Sequence, residues 1–271
     1  IGWLLHRTWG GIIAGSLFVL PSLVILSILT WIYMAYGHLT VIAGMLYGIK
    51  PAVVAIVLFA GYRIGLRVLK KLPLLLISLC AFVAVAIFNV AFPYVVLGAA
   101  LAGTLLHRFD PSIFQQSPSH RTETTQHPRA IIDDDTPTPA HAQYNSRHLI
   151  KLLVVGLGIW LAAIGALVVI VGWNGFLTQL GWFFTKAALL TFGGAYAVLP
   201  YINDAAINVY GWLTPAQMMA GLALGESTPG PLIMLVAFVG FVGGWTHQIF
   251  GSESLLLAGV IAASIATFFT F

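Results

Sequence analysis

The sequence predicts an all-α, polytopic integral membrane protein made of two related helical halves, with broken helices. Of its 271 residues, 59% are hydrophobic and only 7% are charged, whereas ordinary soluble domains carry about 25% charged residues. Several apolar runs reach the roughly 20 residues that a membrane helix requires. One polar stretch divides the chain into two apolar halves, as in the repeat-built secondary transporters.

The first half, residues 1–106, forms the first predicted domain and contains four apolar runs. These predicted spans cover residues 11–36, 40–62, 72–91 and 93–106. The fourth run is too short to cross a membrane upright, so we expect it to be re-entrant or to pair with its neighbour.

The polar stretch, residues 107–148, is predicted to be a flexible cytoplasmic linker. It is rich in Pro, Ser, Thr and His and contains the run Asp133-Asp134-Asp135, and such a composition cannot bury enough apolar surface to become ordered. The spacing of its histidines matches no compact set of metal ligands, so no metal site and no cofactor are predicted. These histidines are His107, His120, His127, His141 and His148.

The second half, residues 149–271, is the second predicted domain and contains the most informative motif. A regular span is predicted at residues 149–171, followed by less regular apolar segments at 176–199, 215–245 and 255–271. The 215–245 segment contains GESTPGPLI and is predicted to break at its Pro-Gly-Pro. Since every backbone polar group in hydrocarbon needs a partner, such a break persists only where protein buries it or where it lines a watery cavity.

Positive charge is distributed as in a membrane protein. If Arg7 is cytoplasmic and crossings alternate, ten of the 12 Lys and Arg residues fall on one side of the membrane, as the positive-inside rule requires. Topology, rather than binding to nucleic acid, then explains the net charge of +4. The two exceptions are Lys50 and Lys186, each of which lies within apolar sequence.

These two lysines are the first candidates for binding an anionic substrate. An ammonium group in mid-membrane costs at least about 2.5 kcal/mol, so it normally faces a cavity or a counter-ion. Lys186 precedes Gly193 and Gly194, and paired glycines let backbone amides approach an anion. Lys50 could instead form a structural ion pair or follow the end of its span, and Lys186 could reach the membrane interface.

The residues of the break complete the predicted substrate site. Either hydroxyl of the Ser-Thr pair could cap a helix that resumes at the second proline, which would direct a helix N-terminus at the substrate. The predicted binding residues of the break are Ser227, Thr228, Pro229, Gly230 and Pro231.

Two acids are candidates for proton coupling. Glu226 opens the break and could carry a proton from poorly hydrated surroundings, or it could be a fixed partner of one of the two lysines. Asp204 is the second candidate, with a helix-capping or interfacial role as the alternative. No catalytic residues are predicted, because the sequence contains neither an HExxH nor a GxSxG motif and no nucleophile with a nearby base.

Four blocks of this sequence resemble the chromate ion transporter family. They are AGSLFVLPS (14–22), YGIKPAVVA (47–55), TFGGAYAVLPY (191–201) and GLALGESTPGPLIMLVAFVGF (221–241). The resemblance implies a carrier of two inverted homologous domains in the inner (plasma) membrane. Such a carrier exports chromate from the cytoplasm, draws on the proton gradient and confers chromate resistance. The family's earlier FGG-type motif and first-domain PGP break do not occur here, so the sequence resembles a central piece of such a protein.

The sequence is compatible with more than one anionic substrate. Sulfate has the shape and charge of chromate and is expected to compete with it. A transporter of another tetrahedral oxyanion such as sulfate, or a passive anion channel, remains the alternative. The expected partners are chromate and the lipid bilayer, and homo-oligomer formation is left open.

Overall fold

A computed structural model describes residues 2–88, 90, 92–110, 146–191, 195–228 and 234–271. All regular secondary structure in these residues is helical, which confirms the predicted all-α class. The α-helices are α1 (Gly2–Tyr36), α2 (Thr40–Val68), α3 (Leu72–Ala86), α4 (Phe92–Phe109), α5 (Ser146–Val171), α6 (Phe176–Leu189), α7 (Ala195–Asp204), α8 (Pro215–Ser227), α9 (Leu235–Thr246) and α10 (Leu255–Thr270). A π-helical turn, Ala205–Val209, follows α7, and a 3-10 turn, Ser252–Ser254, precedes α10.

Five helices in the described part of the chain are long and apolar enough to cross a membrane. They are α1, α2, α4, the Leu149–Val171 part of α5, and α10 with its preceding 3-10 turn. Long helices cover the predicted spans 11–36, 40–62 and 149–171, whereas the third and fourth predicted spans require corrections. The fourth run was predicted too short, because α4 has 18 residues, and α3 ends at Ala86 rather than at residue 91.

The first two helices carry local irregularities. α1 contains a kink at His6 and at Arg7, whose φ is 53°. α2 continues without interruption through Lys50 and Pro51, so the alternative that this span ends just before Lys50 is wrong.

The described residues pack in two units, Ile1–Ala60 with Asn145–Phe271, and Gly61–Tyr144. In the smaller unit, α3 packs against α4. In the larger unit, α9 is the central helix, since every residue from Leu235 to Gly244 is buried.

Small residues let α9 and α10 approach closely. A Cβ on Gly240 would lie 2.6 Å from the Ala262 carbonyl oxygen, and one on Gly244 would lie 2.5 Å from that of Ala258. Later positions in α9 thus meet earlier positions in α10, so the two helices run antiparallel. This GxxxG pair therefore serves helix packing, as small residues do in membranes.

Candidate functional site

The segment between α5 and α8 folds back on itself as a helical hairpin, α6–α7. The Phe183 ring of α6 lies 5.2 Å from the Tyr201 ring of α7 and 5.5 Å from the Trp212 ring. Trp212 also contacts Phe176, at the start of α6, with ring centroids 5.6 Å apart. The chain after residue 194 therefore runs back along α6 toward its N-terminal end.

A second hairpin, α8–α9, follows. A Cβ on Gly221 of α8 would collide with the Phe238 ring of α9. α8 ends at Ser227, and Thr228 has the extended backbone values φ −91° and ψ 140°. The prediction that the helix breaks just before Pro229 is therefore confirmed.

Both hairpins open toward the same end of the bundle. The Phe176 ring, at the start of α6, would lie 2.7 Å from a Cβ on Gly243, near the end of α9. Gly181, further along α6, faces the Phe269 ring near the end of α10. Since α9 and α10 are antiparallel, the end of α10 is level with the start of α9. α6 and α9 therefore run antiparallel, which places the C-terminal end of α6 and the N-terminal end of α9 at a similar level.

The hairpin helices are too short to cross a membrane. α6 has 14 residues and α9 has 12, which at 1.5 Å per residue corresponds to about 21 Å and about 18 Å. A hydrocarbon core is about 30 Å thick. Both hairpins therefore have the dimensions of re-entrant elements that enter from the side where α5 ends.

Lys186 lies in the last turn of α6 and is half-buried beside a cavity of about 230 Å³. A cation in this position offsets the partial negative charge of the helix C-terminus. The Thr178 hydroxyl, at the other end of the cavity, donates a hydrogen bond of 2.9 Å to the Gly172 carbonyl oxygen. The lining residues are Trp173, Thr178, Gln179, Trp182, Lys186 and Tyr210.

A hydrogen-bonded pair fixes the face of α6 next to Lys186. The Trp160 indole N–H of α5 donates to the Thr185 hydroxyl oxygen at 3.0 Å, and that hydroxyl donates to the Gly181 carbonyl oxygen at 2.8 Å. The Trp160 ring also lies 5.9 Å from the Trp182 ring that lines the cavity. α5 therefore holds α6 in a defined rotation, with Lys186 on the cavity face.

Glu226 lies half-buried in the last turn of α8. The carbonyl groups at this helix end carry partial negative charge. Lys186 and Glu226 thus occupy equivalent places, each just before the turn of its hairpin.

The hydroxyls of Ser227 and Thr228 bond to the helix that precedes the break. They donate 2.9 Å hydrogen bonds to the carbonyl oxygens of Leu224 and Gly225, in the last turn of α8. The helix start predicted at Pro231 lies outside the described residues, so capping of that helix by one of these hydroxyls stays a prediction.

Asp204, the last residue of α7, lies outside this arrangement. Its side chain is exposed and accepts a 2.8 Å hydrogen bond from the Asn208 amide. It does not line the Lys186 cavity, so the structure does not bring the two predicted residues together.

Several predicted site residues are not described. The backbone of Lys50 lies in α2, but its side chain lies outside the described side chains, as do Gly193, Gly194 and residues 229–231 entirely. Within the described ranges, no three His, Cys, Asp or Glu residues are grouped to hold a metal ion.

Five lining residues were missed by the sequence reasoning: Trp173, Thr178, Gln179, Trp182 and Tyr210. Gln179 and Trp182 lie seven and four residues before Lys186, a spacing that places them on one helix face, so this periodicity could have identified them. Tyr210 could not be found in this way, because it reaches the cavity only through the return of the chain along α6.

Comparison with known proteins identifies a family that this chain matches. The family model described as "Chromate transporter" matches residues 1–104 and 178–271, which include both hairpins except the first two residues of α6. No solved structure matches the chain.

Three relatives illustrate the similarity. The chromate transport protein of Cupriavidus metallidurans is 25% identical over 274 residues, covering 100% of this chain and 55% of the relative. That of Pseudomonas aeruginosa is 30% identical over 239 residues, or 87% and 50%. The probable chromate transport protein of Synechococcus elongatus is 24% identical over 243 residues, or 89% and 53%. The chain thus spans about half the length of these relatives.

Proposed function

The chain belongs to the chromate transporter family, and from this premise we propose that it carries chromate across the membrane as part of a secondary active transporter. Its relatives are named chromate transport proteins, and its long apolar helices make it an integral membrane protein. The proposed direction is export from the cytoplasm, which would confer chromate resistance.

The observation that carries this proposal is the pair of short hairpins, in which the C-terminal end of α6 lies at a level similar to that of the N-terminal end of α9. A compact dianion within a membrane requires cationic side chains and helix ends directed into a cavity. Lys186 supplies a cation just before the turn of α6–α7, beside a cavity with polar side chains. The α8–α9 hairpin brings the start of α9 to the same depth.

The proposed substrate site combines this described region with the predicted residues around it. Its members are Lys50, Lys186, Gly193, Gly194, Ser227, Thr228, Pro229, Gly230 and Pro231. The hydroxyls of Ser227 and Thr228 keep lone pairs but use their hydrogens on backbone carbonyls. Backbone amides and lysines, rather than these hydroxyls, are therefore the proposed donors to chromate.

Coupling to the proton gradient is assigned to Glu226, with Asp204 as the second candidate. The half-buried position of Glu226 in the last turn of α8 supports this assignment. The proposed setting is the inner membrane, with domains at residues 1–106 and 149–271 and a cytoplasmic linker at 107–148.

Chromate flux in everted membrane vesicles tests the function. Energised vesicles that contain the protein, with the membrane potential held at zero by valinomycin and equal K⁺ on both sides, are expected to accumulate chromate above the external concentration, and a protonophore is expected to abolish the accumulation. Vesicles from cells that lack the protein are the control, and excess sulfate measures competition. Equilibration without accumulation would identify a passive channel, because a channel cannot move an anion against its electrochemical gradient. Accumulation of sulfate but not chromate would reassign the substrate.

A further inference from the structure

We infer that Gln179 and Tyr210 bind a tetrahedral oxyanion together with Lys186, in the cavity along α6. The identification of that oxyanion as chromate on its transport route rests on the proposed function. The geometry of the cavity does not depend on the result of any transport assay.

The two residues are held in place by their neighbours. Gln179, Trp182 and Lys186 share one face of α6, the rotation of which is fixed by the Trp160 hydrogen bond to Thr185. Tyr210 stacks on the buried Trp212, with ring centroids 4.4 Å apart and an interplanar angle of 13°. The tyrosine hydroxyl therefore projects from a fixed ring rather than from a free loop.

The lining groups match the chemistry of an oxyanion. An ammonium offers three N–H donors and no acceptor, a glutamine amide offers two donors, and a phenol offers one. The Thr178 hydroxyl already donates to a backbone carbonyl, so Gln179 and Tyr210 are the neutral side chains best suited to donate to an anion. A metal cation would be repelled by the ammonium, whereas a dianion is attracted.

The size of the cavity allows a partly hydrated ion. Its volume of about 230 Å³ corresponds to about seven water molecules at roughly 30 Å³ each. The indole rings of Trp173 and Trp182 form apolar walls, and such walls weaken dielectric screening of the ammonium charge.

The position of the cavity makes it a binding station on the exit side of the proposed export, the side of the membrane where α5 ends. Trp173 and Thr178 lie at the end of α6 where the hairpin opens, and Lys186 lies in the last turn of α6. An oxyanion held between these ends would lie close to the C-terminal end of α6, which belongs to the proposed substrate site.

Two sources could supply a tetrahedral oxyanion here: a free solute, or the phosphate of a phospholipid headgroup, since Trp and Lys also occur at membrane interfaces. The structure favours the solute because the polar groups extend along the cavity from Gln179 to Lys186, rather than clustering at its rim. Equilibrium binding of chromate to the purified protein in a phosphate-free detergent separates the two sources, when it is repeated with added phosphatidylglycerol.

Two variants carry the test. Gln179→Glu keeps the side-chain shape but adds a negative charge, so it is expected to raise the Kd for chromate about tenfold or more. Tyr210→Phe removes one hydroxyl and is expected to raise the Kd about threefold to tenfold. The matched controls are Gln248→Glu and Tyr62→Phe, at exposed positions outside the cavity, and both are expected to bind chromate like the unmodified protein.

Thermal unfolding of each variant in the same detergent shows whether it is folded. If Gln179→Glu does not fold, Gln179→Ala replaces it, with an expected rise in Kd of about threefold to tenfold. Chromate binding that is unchanged in the folded Gln179 and Tyr210 variants would overturn the inference. Residue-dependent binding of phosphatidylglycerol without binding of chromate would also overturn it.

The outcome can be separated from that of the proposed function. If vesicles accumulate chromate but these variants bind it normally, the inference fails and the function stands. If the variants weaken binding but the unmodified protein does not accumulate chromate, the binding station stands and the transport proposal fails.

Discussion

The hairpins α6–α7 and α8–α9 have similar lengths and open in the same direction, but they differ in charge and burial. α6 carries a lysine before its turn and has one face open to a polar cavity. α8 carries a glutamate before its turn, and its partner α9 is buried from Leu235 to Gly244. One hairpin is thus suited to attract an anion, and the other combines an acid with a rigid, fully packed helix.

This difference suggests a division of roles between the hairpins. A binding element needs access for a hydrated ion, which explains the exposed indole rings and the cavity beside α6. A coupling element needs an acid held at a fixed position relative to the bound ion, and the close contacts of Gly221, Gly240 and Gly244 provide that rigidity. The following variants test whether the two hairpins divide these roles.

Charge reversal in the first hairpin is expected to have the largest effect. Lys186→Glu replaces attraction of chromate by repulsion, so chromate accumulation in everted vesicles is expected to fall at least about 100-fold. Lys151→Glu is the matched control, because Lys151 is exposed near the start of α5, and it is expected to remain within about twofold of the unmodified protein. Equal activity of the two variants would remove Lys186 from the anion route.

Overpacking of the second hairpin is expected to have the second-largest effect. Gly221→Ala places a Cβ against the Phe238 ring, and such overpacking is expected to destabilise the fold by about 1–3 kcal/mol. Gly225→Ala, in the same helix, meets no other side chain or distant backbone within 4 Å, so it is expected to be neutral or slightly stabilising. The thermal unfolding midpoints of the two variants in detergent check this contrast, and equal midpoints would show that α8 does not pack on α9 as described.

Neutralising the acid of the second hairpin tests its coupling role. Glu226→Gln cannot exchange a proton, so chromate accumulation is expected to lose its dependence on the pH gradient while chromate binding persists. Glu253→Gln, in the exposed turn before α10, is the control and is expected to keep the dependence. A pH dependence in Glu226→Gln like that of the unmodified protein would assign coupling elsewhere.

The smallest expected effect concerns the start of the second hairpin. The Thr214 hydroxyl accepts a hydrogen bond from the Gln217 backbone N–H at 3.2 Å, and the Gln217 side chain accepts one from the Thr214 backbone N–H at 2.8 Å. Thr214→Ala removes half of this capping box and is expected to cost about 1 kcal/mol. Thr214→Ser is expected to keep most of that stability in the same thermal unfolding assay, and equal losses in both variants would contradict the capping role.

The sequence predicted the parts of the fold that depend on local chemistry. The break after Thr228 could be predicted because proline cannot continue a helix and glycine favours its end. The spans at α1, α2 and α5 could be predicted from apolar length alone. Lys186 was predicted as a site residue because a lone ammonium group within an apolar membrane segment is energetically costly.

The remaining features depend on contacts between distant residues. The apolar run 176–199 has the length of a span, so its division into α6 and part of a returning α7 was not visible in hydropathy. The placement of Tyr210 beside Lys186 requires the π-helical turn at Ala205–Val209 and the stacking on Trp212.

We propose that both hairpins are re-entrant and that the C-terminal ends of α6 and α8 lie at a similar depth beside an oxyanion site. Single cysteines at Thr191 and at Thr228, in a chain with the exposed Cys80 replaced by serine, allow the depth of each position and its rate of alkylation to be measured in vesicles. We expect the two depths to agree within one helical turn, about 5 Å, and chromate to slow alkylation at both positions. Labelling of the two cysteines from opposite membrane faces, unaffected by chromate, would contradict the claim.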